Sequence, residues 1–567
     1  MSYKLRRALA LLLAALLLSM TLSGCGMPAA LIDELIEDKN EQASPSSERI
    51  IPLTDSYWFD YSYRGYTAYE DMPAYLEAPP DIESYTDLLR CFTSGGEYQD
   101  FEDAYFLAQD ELYRIYTAYT VADISYSSDP TDEAAAAVES AYAAWYAASD
   151  EFYAALGEVA HSEHGASLLD ELLGENTSGS FASYYPDESG GAEHSAEDEL
   201  LHSYNVAMTS SEPDLQRAAE IFVELVKLRN EQAAAYGYSS YAELAYYEQY
   251  YRNYSPEEVA ASVWPSVKEH FVPLAEKYTD RAAELLWQLY DDPSIDCSEE
   301  AVIEALKYVA PRLSQEAAEA LDYMLEYGLY DISQSPTKLN TGFTTTLYYF
   351  NDPFLFNAAM GDVEDFPDTF HEFGHFLNAY ATTSDLLYGM SDTDLSELQS
   401  QGMEMMFTHW YKDIFGGQAD AMLLTTLYDM LCSVIEGAMY DEFQQRAYAE
   451  PELTAERACE LYLEVAAEYG RDPGEAGKYD WVYISHNFDF PYYYISYCMS
   501  ALPALELYVM LQEDSADAAD RYMHVVSLDT EIYYFDEALT ECGFSNVFDS
   551  AAFASCADSI DAYLSEI

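Results

Sequence analysis

Basic residues are scarce in this chain. Its 567 residues include 24 Lys and Arg against 103 Asp and Glu, a formal net charge of -79. A surface of that sign repels phosphate backbones and anionic lipid heads. It argues against nucleic-acid binding, and it means that attachment to a membrane needs an apolar or covalent anchor. Gly (25) and Pro (21) are modest for the length, which with the apolar content excludes a collagen-like or a wholly disordered chain. Half of the residues are apolar, enough for a large core. Cysteine is sparse, and the spacing of Cys91, Cys297, Cys432, Cys459, Cys498, Cys542 and Cys556 matches neither a zinc knuckle nor a disulfide scaffold. Cys542 and Cys556 are close enough in sequence to suggest a bridge, but burial as small apolar side chains is the plainer expectation. Beyond the N-terminus no run reads as long and apolar enough to span a bilayer, and no repeat of fixed period is present.

The first residues read as an address. Lys4, Arg6 and Arg7 precede an apolar run from Ala8 to Met20, and Leu22-Ser23-Gly24-Cys25 follows. A basic n-region and an h-region of this length make a secretory leader rather than a spanning helix. The small residues before Cys25 resemble a bacterial lipobox, in which the cysteine is lipidated and becomes the first residue of the mature chain. Residues 1–24 are therefore expected to be a leader and residues 25–50 a tether. The protein is expected on a bacterial cell membrane, lipid-anchored and facing the exterior.

Helical patterning dominates the rest. Helices are expected across residues 82–156, with breaks at Gly95-Gly96 and Pro130, and across 213–236, 243–251, 256–286 and 298–325. Prolines are expected to kink or split the last two, and Ser255 before Pro256 reads as a cap. Residues 174–197, rich in Gly, Ser and acid, read as a loop. Residues 342–355, rich in Thr and aromatics, favour strands, with a turn at Asn351-Asp352-Pro353. Helices are expected again over 399–411, 421–447, 453–469 and 503–511. The 55 tyrosines are diffuse and point to no single site.

One motif is chemically specific. Asp368-Thr369-Phe370-His371-Glu372-Phe373-Gly374-His375-Phe376-Leu377 contains H-E-x-x-H. On a helix, His371 and His375 share a face and can present two imidazoles to one zinc ion, with Glu372 beside them as general base. Only about 0.02 accidental matches are expected in a chain of this composition. A third ligand has to come from elsewhere, leaving one position open. Glu397 is the leading candidate, with Asp392, Asp394 and His409 as alternatives. Glu404, two turns beyond Glu397, can accept a hydrogen bond from a ligating histidine and orient it. Farther on, His486 and the tyrosines up to Tyr497 include donors able to stabilise charge that develops on a carbonyl oxygen. His161, His164, His194 and His202 lie in hydrophilic surroundings and read as surface histidines.

His371-Glu372-Phe373-Gly374-His375, followed by Glu397 to Ser400 and Glu404, resembles the thimet oligopeptidase and oligoendopeptidase F group of zinc peptidases. Asn351 to Asn357 is similar to the strand segment ahead of that group's metal helix, and Tyr483 to Tyr497 to its His and Tyr cluster. The resemblance implies a mainly α fold, with two helical lobes around a deep substrate channel and a small β-sheet beside the metal-binding helix. It implies one Zn2+ held by His371, His375 and Glu397. The implied catalytic residues are Glu372, His486, Tyr497 and, second to Tyr497, Tyr494. The chain is expected to divide into an N-terminal helical region, residues 51–335, and a catalytic region with C-terminal helices, residues 336–567. The implied activity is zinc-dependent endopeptidase cleavage of short unstructured peptides. Intact Glu372 argues against a silent peptide-binding lipoprotein, while a carboxypeptidase-like zinc hydrolase stays open as an alternative.

Overall fold

The helices begin where capping side chains permit. In the computed structural model, which describes residues 64–174, 177–183, 190–208, 213–382 and 391–567, Thr131 accepts from the Ala134 amide, and Ser162 from that of Gly165. These caps open α3 (Asp132–Ala160) and α4 (Glu163–Leu173), which pack with α1 (Ile82–Arg90) and α2 (Tyr98–Ser128). The breaks between these helices fall at Gly95-Gly96, both with positive φ, and at Asp129-Pro130. Leu89, Phe101, Phe152, Leu156 and Leu169 meet in a core of their own, each burial contributing about 2 kcal/mol. The leader, Cys25 and the tether lie outside the described residues.

Residues 174–197 depart from the expected loop. They contain a short helix, Thr177–Ser183, and the start of α5 (Gly190–Met208). Tertiary contacts hold α5 despite its polar sequence. Arg229, on α6 (Leu215–Tyr236), donates to Glu197 at 2.7 Å, and the Tyr204 ring stacks on Phe488 at 3.8 Å.

From Pro256 to Tyr290 the chain is helical with two π turns, Val259–Val263 and Val267–Phe271, ahead of Pro265 and Pro273. A proline cannot donate and its ring crowds the preceding turn, so the wider turn gives it room. Ser255 and Glu258 form the capping box at the start, and α7 (Val272–Tyr290) ends the run. The next pair, α8 (Glu299–Leu313) and α9 (Gln315–Tyr327), parts at Ser314, a capping residue, rather than at Pro311 inside α8.

The sheet has the order β1-β3-β2, from β1 (Tyr330–Asp331), β2 (Gly342–Leu347) and β3 (Asp352–Asn357). β3 is central and fully buried, parallel to β1 and antiparallel to β2. The turn falls at residues 348–351, with Asn351 at φ 50°, and Pro353 is paired inside β3 opposite Thr346. Against this sheet lies α10 (Asp365–Ala381). Arg64 ties its end to the turn, donating to the carbonyls of Ala379 (2.7 Å), Thr382 (2.9 Å) and Asn351 (2.6 Å).

The longer helices after α10 are α11 (Thr393–Phe407), α12 (Ala419–Tyr448), α13 (Ala455–Glu468), α14 (Ile495–Glu513), α15 (Ser515–Ser527) and α16 (Ser550–Leu564). The stretch from Thr393 to Tyr448 includes a window apolar enough to span a membrane by composition, contrary to the sequence expectation. That window is 67% buried within the protein, as a core helix is. The larger core takes residues from Met72 to Leu564, on both sides of residue 335. Cys459, Cys498, Cys542 and Cys556 are buried and free, so Cys542 and Cys556 form no bridge.

Candidate metal centre

Helix geometry sets the first two donors. His371 and His375 are one turn apart on α10, and their rings lie 5.1 Å apart at 78°. The third comes from α11, which crosses α10 closely. A Cβ at Gly374 would lie 2.5 Å from the Gln399 carbonyl and 2.7 Å from the Ser400 Cα, so only glycine allows this approach. The crossing brings Glu397 Oε2 to 3.4 Å from His371 Nε2 and 3.8 Å from His375 Nε2. All three donor atoms lie within 4.8 Å of one another. Tetrahedral ligands about 2.05 Å from zinc stand about 3.3 Å apart, so the donor set fits that ion in type, number and spacing.

Each donor is oriented by a further group. His371 Nδ1 donates to Glu404 Oε1 at 2.7 Å, which in the neutral ring leaves the Nε2 lone pair for a metal. Ser396 Oγ lies 3.3 Å from His375 Nδ1. The Glu397 carboxylate is 2% exposed. Tyr493 donates to its Oε1, and Ser400 to its Oε2 at 3.2 Å.

The electrostatics favour a cation here. Burial works against charge on Glu397, but hydrogen bonding from His371 and the nearby histidines outweigh it and hold the carboxyl at about 2. Burial likewise disfavours charge on His371, yet bonds to Glu397 and Glu404 push its pKa well up. Burial drives His375 down to about 4, leaving a neutral imidazole. A site that stabilises positive charge among two carboxylates and a neutral imidazole suits a divalent ion.

Glu372 points across from this group towards β2. Thr344 Oγ1 donates to Glu372 Oε2 at 3.0 Å and to its backbone carbonyl at 2.9 Å. Burial raises the Glu372 carboxyl to about 7. A cavity of about 560 Å³ opens here, lined among others by Gly342, Asp368, His371, Glu372 and Tyr497. Asp362, Glu364 and Asp365 also line it, and among the described residues no Lys or Arg does.

Tyr497 sits in the first turn of α14, its phenol kept protonated by burial and by the charges of Glu397 and Glu372. His486 is in ring contact with Tyr494 (5.2 Å), Tyr493 (5.3 Å) and Tyr497 (6.2 Å). Burial keeps its imidazole neutral by lowering its pKa. Tyr494 meets both Tyr440, at 5.1 Å, and Tyr497, at 5.2 Å, and neither Tyr494 nor His486 is among the cavity residues.

The alternative third ligands are engaged elsewhere. Asp392 caps α11, accepting from the amides of Leu395 (3.0 Å) and Phe535 (2.8 Å). Asp394 pairs with Arg252, and His409 lies beyond the end of α11. His161 Nδ1 and His164 Nε2 lie near the carbonyls of Gly157 and Gly96. Among the described residues only His371, His375 and Glu397 form a group able to hold a metal. Sequence reasoning missed Tyr493 and Thr344. Tyr493 was hidden in a run of tyrosines without a visible register, and the role of Thr344 depends on how β2 packs on α10.

Comparison with known proteins adds to this geometry. Residues 323–526 match the sequence model of Peptidase family M3, a span that contains the sheet, α10, α11 and the His486–Tyr497 segment. No curated protein matches the chain by sequence. Among solved structures, the chain is similar to a protein assigned as an oligoendopeptidase F, with 22% identity, TM-score 0.71, and 87% of this chain and 97% of that one covered. It is similar to PZ peptidase A, solved with an inhibitor, with 19% identity, TM-score 0.69, and 86% and 98% covered. It is also similar to a Pyrococcus furiosus carboxypeptidase, with 12% identity, TM-score 0.54, and 86% and 100% covered. At these identities the likeness is one of fold: mainly helical, with the small sheet beside α10.

Proposed function

We propose that the protein is a zinc-dependent oligopeptidase that hydrolyses internal bonds of short, unstructured peptides. The observation that carries this reading is the convergence of His371, His375 and Glu397 with Glu372 beside them at the cavity. The match to a peptidase family over the same residues supports it.

His371 Nε2, His375 Nε2 and Glu397 Oε2 would hold the zinc ion, which when bound polarises the scissile carbonyl and acidifies water. The other tasks fall to the chain itself. Among the described residues β2 pairs with β3 on one side only, and its Gly342 end lines the cavity. Its free edge offers backbone donors and acceptors to an extended peptide. Glu372 takes the proton from the attacking water on its carboxylate and returns it to the leaving amine nitrogen. Thr344 holds that carboxylate in place. Tyr497 donates its phenolic hydrogen to the carbonyl oxygen as negative charge builds, and His486 packs against Tyr497 from the neighbouring segment. Glu404 keeps His371 in the tautomer that leaves Nε2 free.

We further propose that residues 1–24 are removed and that Cys25 carries the lipid which anchors the enzyme outside a bacterial membrane. Replacing Cys25 by Ser is expected to release the protein into the medium.

Cleavage of a mixed library of 5- to 20-residue peptides tests the reading. The wild type is expected to bind one zinc per chain and to cut internally. Glu372→Gln is expected to keep the zinc and lose the cutting. The likeness to a carboxypeptidase favours a second reading, removal of C-terminal residues, and the cut positions separate the two. Bound zinc without cleavage would point to a binding lipoprotein. A folded protein that takes up no zinc would overturn the assignment.

A further inference from the structure

We propose that Arg252 and Asp394 form a positioning clamp that fixes the Glu397 carboxylate relative to the Tyr493–Tyr497 segment. The proposal rests on the metal-centre reading above. It concerns residues that touch neither the donor atoms nor the cavity.

The pair is fully buried, with both side chains 0% exposed. Arg252 spends its guanidinium on two separate segments. Nε donates to Asp394 Oδ1 at 3.2 Å, Nη1 to the Tyr492 carbonyl at 3.1 Å, and Nη2 to Ser496 Oγ at 2.7 Å. Ser496 passes its own hydrogen to Asp394 Oδ1 at 2.6 Å, and Tyr254 donates to Asp394 Oδ2. The rings of Tyr246 and Tyr250 lie under the guanidinium at 4.6 and 4.7 Å. Tyr250 also holds the same segment, donating to the Pro491 carbonyl at 2.8 Å and meeting the Tyr493 ring at 5.7 Å.

The result is a closed ring. Asp394 lies one turn before Glu397 on α11, so fixing one fixes the other. Tyr492 and Ser496 bracket Tyr493, whose phenol bonds Glu397 Oε1. Arg252 therefore closes the circuit from Asp394 through Glu397 and Tyr493 back to itself, and Tyr497 is the next residue along. A buried ion pair is a poor device for stability alone, since apolar residues of similar volume serve as well or better. Arg suits a clamp because its planar fork reaches several acceptors in fixed directions. A lysine ammonium cannot reproduce that.

The test is a double-mutant cycle of Arg252→Lys with Tyr493→Phe, read in zinc affinity by chelator competition and in kcat and KM separately. Thermal melts show that each variant is folded. Each single change is expected to weaken zinc binding by about 10- to 100-fold and to lower kcat more than it raises KM. The double variant is expected to be no worse than the weaker single, because both act through one ring. Should Arg252→Lys fail to fold, Ser496→Ala takes its place in the cycle. Additive losses, or wild-type zinc affinity in a folded Arg252→Lys or Ser496→Ala protein, would overturn the clamp. If the wild type cuts no peptide, the functional reading fails, and the cycle in zinc affinity still decides the clamp.

Discussion

Nδ1 of His371 lies 2.7 Å from Oε1 of Glu404, a carboxylate 33 residues away in sequence and on a different helix. This bond selects the imidazole tautomer and aims Nε2 at Glu397. Glu404→Ala is therefore expected to weaken zinc binding by about 10- to 100-fold while the protein stays folded. Glu404→Gln keeps an acceptor and loses less. Chelator competition on both variants measures the difference, and equal affinities in all three proteins would refute the role.

Loading the metal should stabilise the fold. The site gathers Glu397, Glu404 and Glu372 around two imidazoles, and a bound cation relieves their repulsion. Chelation is expected to lower Tm and zinc to restore it. At a hundredfold excess over Kd the gain is about 2.7 kcal/mol. A melt that ignores both treatments would count against the centre.

Gly374 is the contact that lets α10 and α11 meet. Gly374→Ala places a methyl group 2.5 Å from the Gln399 carbonyl, which backbone cannot yield cheaply. The expected cost is about 1–3 kcal/mol, together with weaker zinc binding, because Glu397 rides on the displaced helix. Urea melts and zinc titration on one preparation test both effects.

Asp441 on α12 makes stability depend on pH. Burial raises its carboxyl to about 7, against the hydrogen bonds of Tyr246, Trp264 and Gln445 and the charge of Arg252. Unfolded, it titrates near about 3.9. Between those values the folded chain holds a proton that the unfolded chain has lost, so stability falls as pH rises from about 4 to about 7 and is level above. The drop can reach about 4 kcal/mol. Asp352 and Asp529, each raised by burial to about 6, act in the same direction. Urea melts of metal-free protein at pH 5 and pH 8 are expected to show the acid side more stable, with a smaller difference in Asp441→Asn.

The cavity wall formed by Asp362, Glu364, Asp365 and Asp368 has no Lys or Arg beside it among the described residues. Peptides with Lys or Arg are expected to show lower KM than matched peptides with Glu. The gap should narrow as salt rises and the screening length shrinks from about 10 Å at 0.1 M to about 3 Å at 1 M. A salt-independent ratio would mean that these carboxylates do not reach the substrate.

What was legible in the sequence is local. His371, Glu372 and His375 share a turn because 3.6 residues complete one, and Glu397 and Glu404 share a face for the same reason. The capping residue Ser255 marked a helix start, and Gly95-Gly96 and Pro130 marked breaks. Helical spacing also placed the imidazoles and the carboxylates as two separate pairs. Which carboxylate would meet the imidazoles was a different matter. Asp392, Asp394 and Glu397 sit within two turns of one helix; the close crossing at Gly374 gives Glu397 to the histidines, while Asp392 caps its own helix and Asp394 pairs with Arg252. The same holds for the tyrosines. Nothing in their run distinguishes Tyr493 from Tyr494 or Tyr497. The start of α14 at Ile495 sends Tyr493 to Glu397, Tyr494 to Tyr440 and Tyr497 to the cavity. Residues 190–208 are helical because Arg229 and Phe488 wait for Glu197 and Tyr204. Periodicity along one element is written in its own residues, whereas the pairing of elements is decided by contacts between residues far apart in the chain.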